Sequence, residues 1–165
     1  MGVVVDTTLR FHHHVQTVAA KAGRLASSLL RSTVCRSPEF MVSLFISHVR
    51  PILDYACCVW NTGYVGDSKL LEAVQRRWTK QIDGFHDLGY RDRLARLNLF
   101  SIKGRRLRAD LIKYWQILHG GSVDLRGMFS LAPDVGTRSH RYKLVLPLCS
   151  SDARRRSFST RCIIK

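Results

Sequence analysis

Two arginine-rich runs are the residues of this chain best suited to chemistry. They are Gln75-Arg76-Arg77-Trp78-Thr79-Lys80 and Lys103-Gly104-Arg105-Arg106-Leu107-Arg108. A guanidinium group grips a phosphate with two parallel hydrogen bonds, whereas an ammonium group binds it as a point charge. Helical spacing places most of these basic side chains opposite an apolar stripe. The runs therefore predict contacts to a polyanion at Arg76, Arg77, Lys80, Lys103, Arg105, Arg106, Arg108 and Lys113.

The overall charge supports this interpretation. The 165 residues include 27 Lys and Arg against 12 Asp and Glu, which gives a formal charge of +15. Residues 69–165 hold 21 of the bases and eight of the acids, so the positive charge is concentrated in the second half. A basic chain of this kind favours nucleic acid as its partner. The alternative is that each run is an ordinary solvated helix face.

Catalytic and metal chemistry has little support in the sequence. Two-metal nucleotidyl transfer needs at least two neighbouring carboxylates, and no Asp-Asp pair or Tyr-x-Asp-Asp motif occurs. Asp54, Asp92 and Asp110 stand singly near arginines, which predicts ion pairs on helix surfaces. No cofactor, metal site or enzymatic activity of the chain by itself is expected.

Three further groups of residues have structural interpretations. Consecutive imidazoles on a helix point about 100° apart, so His12-His13-His14 predicts a hydrated surface patch rather than a metal site. The adjacent thiols Cys57-Cys58 predict small packed hydrophobic groups rather than a nucleophile. The helical register of Trp60, Trp78 and Trp115 places all three in the core, although stacking platforms for bases are the alternative.

The elements that position these residues are helices. Apolar residues recur at helical spacing over Val15–Leu30, Met41–Ala56, Leu70–Ile82, Leu94–Leu99 and Leu107–Leu118. Ser37-Pro38 predicts a helix start, Pro51 predicts a kink or break, and Trp60-Asn61 marks the end of that segment. Asp67 and Ser101 are predicted N-caps, and Gly84 and Gly120-Gly121 are predicted stops.

The predicted fold is mainly α, a bundle of about five helices over residues 7–120. A short strand at Val3-Val4-Val5 occupies residues 1–6, and an irregular, basic tail occupies residues 121–165. No apolar run approaches the length of about 20 residues that crosses a bilayer, so no membrane partner is expected. An odd number of cysteines without a C-x-x-C motif, and no secretory signal, favour an intracellular, cytoplasmic or nuclear location.

A series of short motifs resembles a known family. In chain order they are Gly2–Asp6, His48–Ala56 with Trp60-Asn61, Leu71–Lys80, Tyr90–Leu94, Arg105–Ile112, Thr137–His140 and Arg155–Arg161. Together they resemble the region C-terminal to the catalytic palm in reverse transcriptases of non-LTR, or LINE-type, retrotransposons. The resemblance covers essentially the whole chain.

The resemblance implies a role for each part. The first residues correspond to the end of the primer-grip strand, and the helices correspond to the thumb, which holds the template–primer duplex. The palm carboxylates of that RNA-directed DNA polymerase are absent, so the chain is expected to bind RNA–DNA or duplex backbones without sequence preference and without polymerase activity. The alternatives are a helical protein-interaction module and a non-functional fragment of a degenerate element.

Overall fold

A computed structural model of the chain describes residues 2–119, 129–130 and 144–164. Their helices are α1 (His12–Ser32), α2 (Pro38–Leu44), a π-helical turn (Phe45–Val49), α3 (Arg50–Asp54), α4 (Cys57–Trp60), α5 (Val65–Thr79), α6 (Tyr90–Arg96), α7 (Ile102–Leu118), α8 (Asp152–Arg155) and α9 (Phe158–Ile164). Apart from a single bridged residue at Leu144, this part of the chain contains no strand. The predicted mainly α architecture is confirmed.

The packing of α1 against α5 forms the centre of the core. Val15, Val18 and Ala22 on α1 and Leu71 and Trp78 on α5 are buried. Val15, Val18 and Ala22 recur every three or four positions, and Leu71 and Trp78 lie two turns apart on α5 with the buried Gln75 between them. Burying each of the larger aliphatic side chains contributes about 1.5–3 kcal/mol. The periodic pattern therefore predicts both helices correctly.

The helix that begins at Pro38 is interrupted where Pro51 is predicted to interrupt it. Pro51 has no N–H to donate to the Ser47 carbonyl, and the chain accommodates the missing bond with the π-helical turn just before it. Arg50 donates its backbone N–H to the Phe45 carbonyl, five residues back. The helix then ends at Asp54, and Ala56, with φ of 49°, starts the short α4. This sharp turn brings α4 against α7.

The helix boundaries correct two predictions. Ser101 caps α7 as predicted, because its Oγ accepts a hydrogen bond from the Gly104 N–H at 3.1 Å. Asp67 does not cap α5, since the helix already begins at Val65 and the Asp67 side chain is buried within the first turn. The α5 helix ends at Thr79, before the predicted stop at Gly84. The predicted stop at Gly120-Gly121 lies outside the described residues.

The strand predicted at Val3-Val4-Val5 does not form. No segment among the described residues offers it a strand edge to pair with. Instead, the Val4 N–H donates to Nδ1 of His14 at 3.3 Å, and the half-buried Val3 packs on the core. The first residues are thus attached to α1 rather than to a sheet.

The predicted irregular tail is wrong for residues 152–155 and 158–164, whereas residues 144–150 are irregular as predicted. Residues 152–155 and 158–164 are helical, and Ser151 caps the first of these helices by accepting from the Arg154 N–H at 3.2 Å. The end of the chain packs on α7 through α9. The apolar pattern of the sequence does not predict this contact, because the buried residues of α9 are the polar Ser159, Thr160 and Arg161. The rest of the predicted tail, at 121–128, 131–143 and 165, lies outside the described residues.

Candidate nucleic-acid interface

A basic pocket lies between α5 and α7. It has a volume of about 480 Å³, and its charged lining residues are Lys69, Glu72 and Arg76 from α5 and Lys103 from α7. The three basic side chains are exposed. Three positive charges therefore surround one negative charge in a concave site that is open to solvent. Of the predicted contact residues, Arg76 and Lys103 are brought together here.

Glu72 fixes the geometry of this pocket. Its carboxylate accepts hydrogen bonds from the backbone N–H groups of Ile102 and Lys103 at 3.2 and 3.3 Å and from the Tyr90 hydroxyl. A carboxylate at a helix N-terminus is stabilised by the unpaired N–H groups and the positive end of the helix dipole. The Glu72 charge is consequently engaged with α7, which leaves the basic side chains to set the electrostatic character of the rim.

Tyr90 supports the same site from α6. Its ring lies under the Arg76 guanidinium, with 4.9 Å between the guanidinium carbon and the ring centroid. Burial, followed by the hydrogen bond to Glu72, raises the pKa of Tyr90, so the hydroxyl remains protonated and donates. The ring contact holds Arg76 in place while its charge remains exposed. Lys69, Glu72 and Tyr90 were not among the predicted site residues.

The other predicted contact residues are distributed differently. Arg77 faces away from this pocket and lines a groove between α5 and α1. Lys80, Arg108 and Lys113 are exposed on the ends and outer faces of α5 and α7. Arg105 is half-buried and donates from Nη2 to Asp54 Oδ2 at 2.5 Å and from Nε to the same oxygen at 3.1 Å. Because this ion pair occupies two of its donors, Arg105 is less available to a phosphate than Arg76.

Arg106 is in the core rather than on the surface. The residue is only 5% exposed, and its guanidinium carbon lies 3.8 Å from the centroid of a Trp60 ring. Neither Nε nor Nη2 has a hydrogen-bond partner, and burial lowers the pKa of Arg106 to about 10. The arginine run alone gives no sign of this, because neighbouring residues on a helix point in different directions. Arg106 is thus not placed for contact with a backbone phosphate.

The buried face of α7 is largely polar, which explains why the arginine run predicts the wrong environment for Arg106. Arg106, Asp110 and Ile117 form its buried face, whereas Leu111, Ile112 and Trp115 are exposed. The predicted core position of Trp115 is wrong, since 60% of the residue is exposed and its ring stacks on His119 at 4.5 Å. Trp60 and Trp78 are fully buried, as predicted. Hydrophobicity alone therefore predicts the wrong face of α7 to be buried, because the face that lies in the core is polar.

Asp110 forms a buried ion pair with the end of the chain. Arg161 on α9 donates from Nε to Oδ2 and from Nη2 to Oδ1, both at 3.0 Å. Asn61 donates a third hydrogen bond to the carboxylate, also at 3.0 Å. Asp110 and Arg161 are 1% and 6% exposed. The predicted surface pair on a single helix is therefore a core contact between residues 51 positions apart.

A second set of contacts holds α8 and α9 against the residues that lead into α5. The Arg156 guanidinium stacks on Tyr64 at 3.9 Å and donates to the Thr62 carbonyl at 3.2 Å. Arg156 also pairs with Asp152, which accepts a hydrogen bond from the Tyr64 hydroxyl. Two basic residues of the predicted tail, Arg156 and Arg161, thus have structural roles.

The histidine cluster divides into three environments. His13 is exposed, His12 donates from Nδ1 to Asp67 Oδ1 at 2.5 Å, and His14 is buried with its ring edge-on to Trp60, 5.1 Å between the ring centroids. The predicted hydrated patch is therefore wrong for His14. Because Nδ1 of His14 accepts from the Val4 N–H, the ring is in its neutral form. Burial, followed by the positive charge of Arg106, lowers the pKa of His14.

This environment predicts a pH-dependent stability. Since the pKa of His14 is lower in the folded state than the unfolded value of about 6.5, the unfolded state binds more protons once the pH drops below that value. The free energy of unfolding is expected to fall between about pH 7 and pH 5, as measured by urea titration. His14→Phe should remove this part of the slope. An unchanged slope in His14→Phe, or loss of the slope in His13→Gln, would contradict the assignment.

The cysteines form no disulfides, and two of them pack in or beside the core. Cys57 is buried in the main core cluster and Cys58 is half-buried beside it, which agrees with the predicted packing role. Cys35 is exposed, and Cys149 and Cys162 are half-buried. Among the residues that the structure describes, no three His, Cys, Asp or Glu side chains gather into a potential metal site. Within the same ranges, no helix has the length and hydropathy needed to cross a bilayer.

The chain has a distant relative among known proteins. The chain is similar to an uncharacterized protein of Caenorhabditis elegans, with 29% identity over 123 residues. The match covers 73% of this chain and 62% of the relative, so the chain spans less than two thirds of the length of that protein. No family model and no solved structure matches the chain.

Proposed function

We propose that the chain binds the backbone of nucleic acid through the basic pocket between α5 and α7, as a thumb-like segment of a retroelement RNA-directed DNA polymerase. The observation that carries this proposal is the convergence of Lys69, Arg76 and Lys103 on one concave, exposed site. Phosphate contacts of this kind give affinity without sequence information. The family resemblance of the motifs supports the same partner, an RNA–DNA hybrid or a duplex.

The electrostatic surroundings favour phosphate over a neutral ligand. Lys80, just after α5, and Arg108 and Lys113 on α7 are further exposed bases outside the pocket. Glu72, the acidic residue in the lining, is hydrogen-bonded to the start of α7 and to Tyr90. The function proposed for the chain is binding without catalysis, and the proposed location is the cytoplasm or nucleus.

The test is a fluorescence anisotropy titration of a labelled RNA–DNA hybrid at several salt concentrations. The double variant Arg76→Ala/Lys103→Ala removes two exposed charges from the pocket. Because each lost phosphate contact removes about one released counterion, we expect the slope of log K against log salt to become shallower by about 2. Binding at low salt should weaken together with the slope.

The matched control is Arg91→Ala/Arg96→Ala, which removes two exposed arginines from α6, outside the pocket. It lowers the net charge by the same amount, so general electrostatic attraction changes equally in both variants. The control should retain the wild-type salt slope to within about half a unit. Equal loss in the two double variants, or binding by the wild-type chain that does not depend on salt, would refute the proposed interface.

A further inference from the structure

A second concave surface lies on a different face of α5, where this helix meets α1. This groove has a volume of about 720 Å³. Its floor consists of small or apolar side chains, chiefly Ala19, Gly23 and Ser27 on α1 and Ala73 and Val74 on α5. It uses none of the residues of the basic pocket described above.

The sequence of α1 creates the open space. Ala19, Gly23 and Ser27 recur every four residues, so they form one strip along the helix beside its buried face. A Cβ atom added at Gly23 would have no other atom within 4 Å. From Ala19 to Arg31 the groove follows about 18 Å of helix, which is about three turns. Small side chains along such a strip allow another helix to approach closely.

The rim of the groove carries charge of one sign. Arg24 and Arg31 on α1 and Arg77 on α5 line it, and no Asp or Glu does. All three arginines are exposed, and none forms an ion pair within the residues that the structure describes. A partner that fills this groove must therefore combine an apolar surface with negative charges at its edges.

We propose that this groove docks an amphipathic helix with an apolar face and acidic flanks, supplied by a protein partner. The apolar face would lie on Ala19, Gly23 and Ala73, and the flanking carboxylates would reach Arg24, Arg31 and Arg77. Helix-in-groove recognition uses this combination of anchors at helical spacing. The observations favour a helix over nucleic acid because the floor between the arginines is apolar and gives bases and sugars few hydrogen-bond partners.

The test uses a fluorescein-labelled synthetic peptide of about 15 residues, with leucines at helical spacing along one face and glutamates on the others. We expect saturable binding to the full chain, detected by anisotropy. A peptide with lysines in place of the glutamates should not bind. In Gly23→Leu, the new side chain would fill the groove, so the acidic peptide should bind about tenfold more weakly or worse.

Gly66→Leu is the matched control. Gly66 is an exposed helical glycine with open space around it, and it does not line the groove. This variant should bind the peptide as the wild-type chain does. Arg31→Glu should also weaken binding, since it reverses a rim charge, whereas Arg91→Glu on α6 should not.

The outcomes separate this proposal from nucleic-acid binding. Gly23→Leu should leave the affinity for the RNA–DNA hybrid unchanged, while Arg76→Ala/Lys103→Ala should leave the affinity for the peptide unchanged. Failure of the acidic peptide to bind at up to about 1 mM, or equal binding to wild type and Gly23→Leu, would overturn the helix-docking groove. Loss of hybrid binding in Gly23→Leu would show that the groove binds nucleic acid, and this result would also overturn the helix-docking proposal.

Discussion

Replacement of Asp110 by alanine is expected to lower the free energy of unfolding by about 3–5 kcal/mol. Arg161 donates two hydrogen bonds to this carboxylate and is itself 6% exposed. Without Asp110, the guanidinium would either stay buried without a counter-charge or leave the core and detach α9. Either outcome would remove much of the stabilising contact between α9 and α7. Urea or guanidinium titration followed by circular dichroism measures the change.

The control for this prediction is Asp152→Ala, which breaks the more exposed pair between Asp152 and Arg156. Exposed pairs contribute about 0–1 kcal/mol, so the control should unfold close to the wild-type midpoint. Combination of Asp110→Ala with Arg161→Ala completes a double-mutant cycle, in which the two losses should be strongly non-additive. A loss of less than about 1 kcal/mol in Asp110→Ala would contradict the buried pair.

Arg106→Met should have the opposite sign. We expect it to raise the free energy of unfolding by about 1–2 kcal/mol, because methionine fills a similar volume without the desolvation cost of a buried guanidinium. Nε and Nη2 of Arg106 have no partners that the substitution would leave unsatisfied. Asp110 would retain its hydrogen bonds from Arg161 and Asn61. Thermal or chemical denaturation of the two chains at the same pH makes the comparison.

Arg106→Ala separates packing from charge at this position. It removes the same charge but leaves a void over Trp60, so it should be less stable than Arg106→Met by about 2 kcal/mol or more. Arg106→Met should bind the RNA–DNA hybrid with the wild-type salt slope, since the buried side chain contacts no phosphate. A lower free energy of unfolding for Arg106→Met would show that the buried guanidinium stabilises the fold. A shallower salt slope would show that it contacts nucleic acid despite its burial.

Local pattern predicts several of the helices and some of their boundaries. The apolar repeats of α1 and α5, the proline-led start at Ser37-Pro38 and the cap at Ser101 each depend on residues within one or two turns. Information of that kind is present in any short window of sequence. The kink at Pro51 belongs to the same class, since it follows from a single missing N–H.

The failures involve partners distant in sequence. Asp110 is buried because Arg161 meets it, and no window around either residue contains the other. The same pairing turns the polar face of α7 inward and leaves Leu111 and Trp115 exposed. A prediction of the buried face from hydrophobicity uses only the residues of α7 itself. It cannot include the counter-charge that Arg161 on α9 supplies to Asp110. The helices α8 and α9 in the tail were missed for the same reason.

The candidate site was partly predictable. The arginine runs identify Arg76 and Lys103, but only the packing of α5 on α7 shows that Lys69 joins them and that Arg77 faces a different groove. Burial of Arg106 and pairing of Arg105 with Asp54 depend on α3 and α4, which precede the second run by about 50 residues. A charge run defines a helix that can bind phosphate, but not which of its side chains are available.

The π-helical turn also determines which side of the helix the residues after it occupy. Met41, Phe45, Val49 and Leu53 are all fully buried, and they follow one another at intervals of four residues. On an ideal α-helix, each interval of four advances around the axis by about 40° beyond a full turn, so the last of the series would drift well away from the first. The turn at Phe45–Val49 is wound less tightly and takes back part of that drift. Its extra residue therefore keeps Leu53 in phase with Met41.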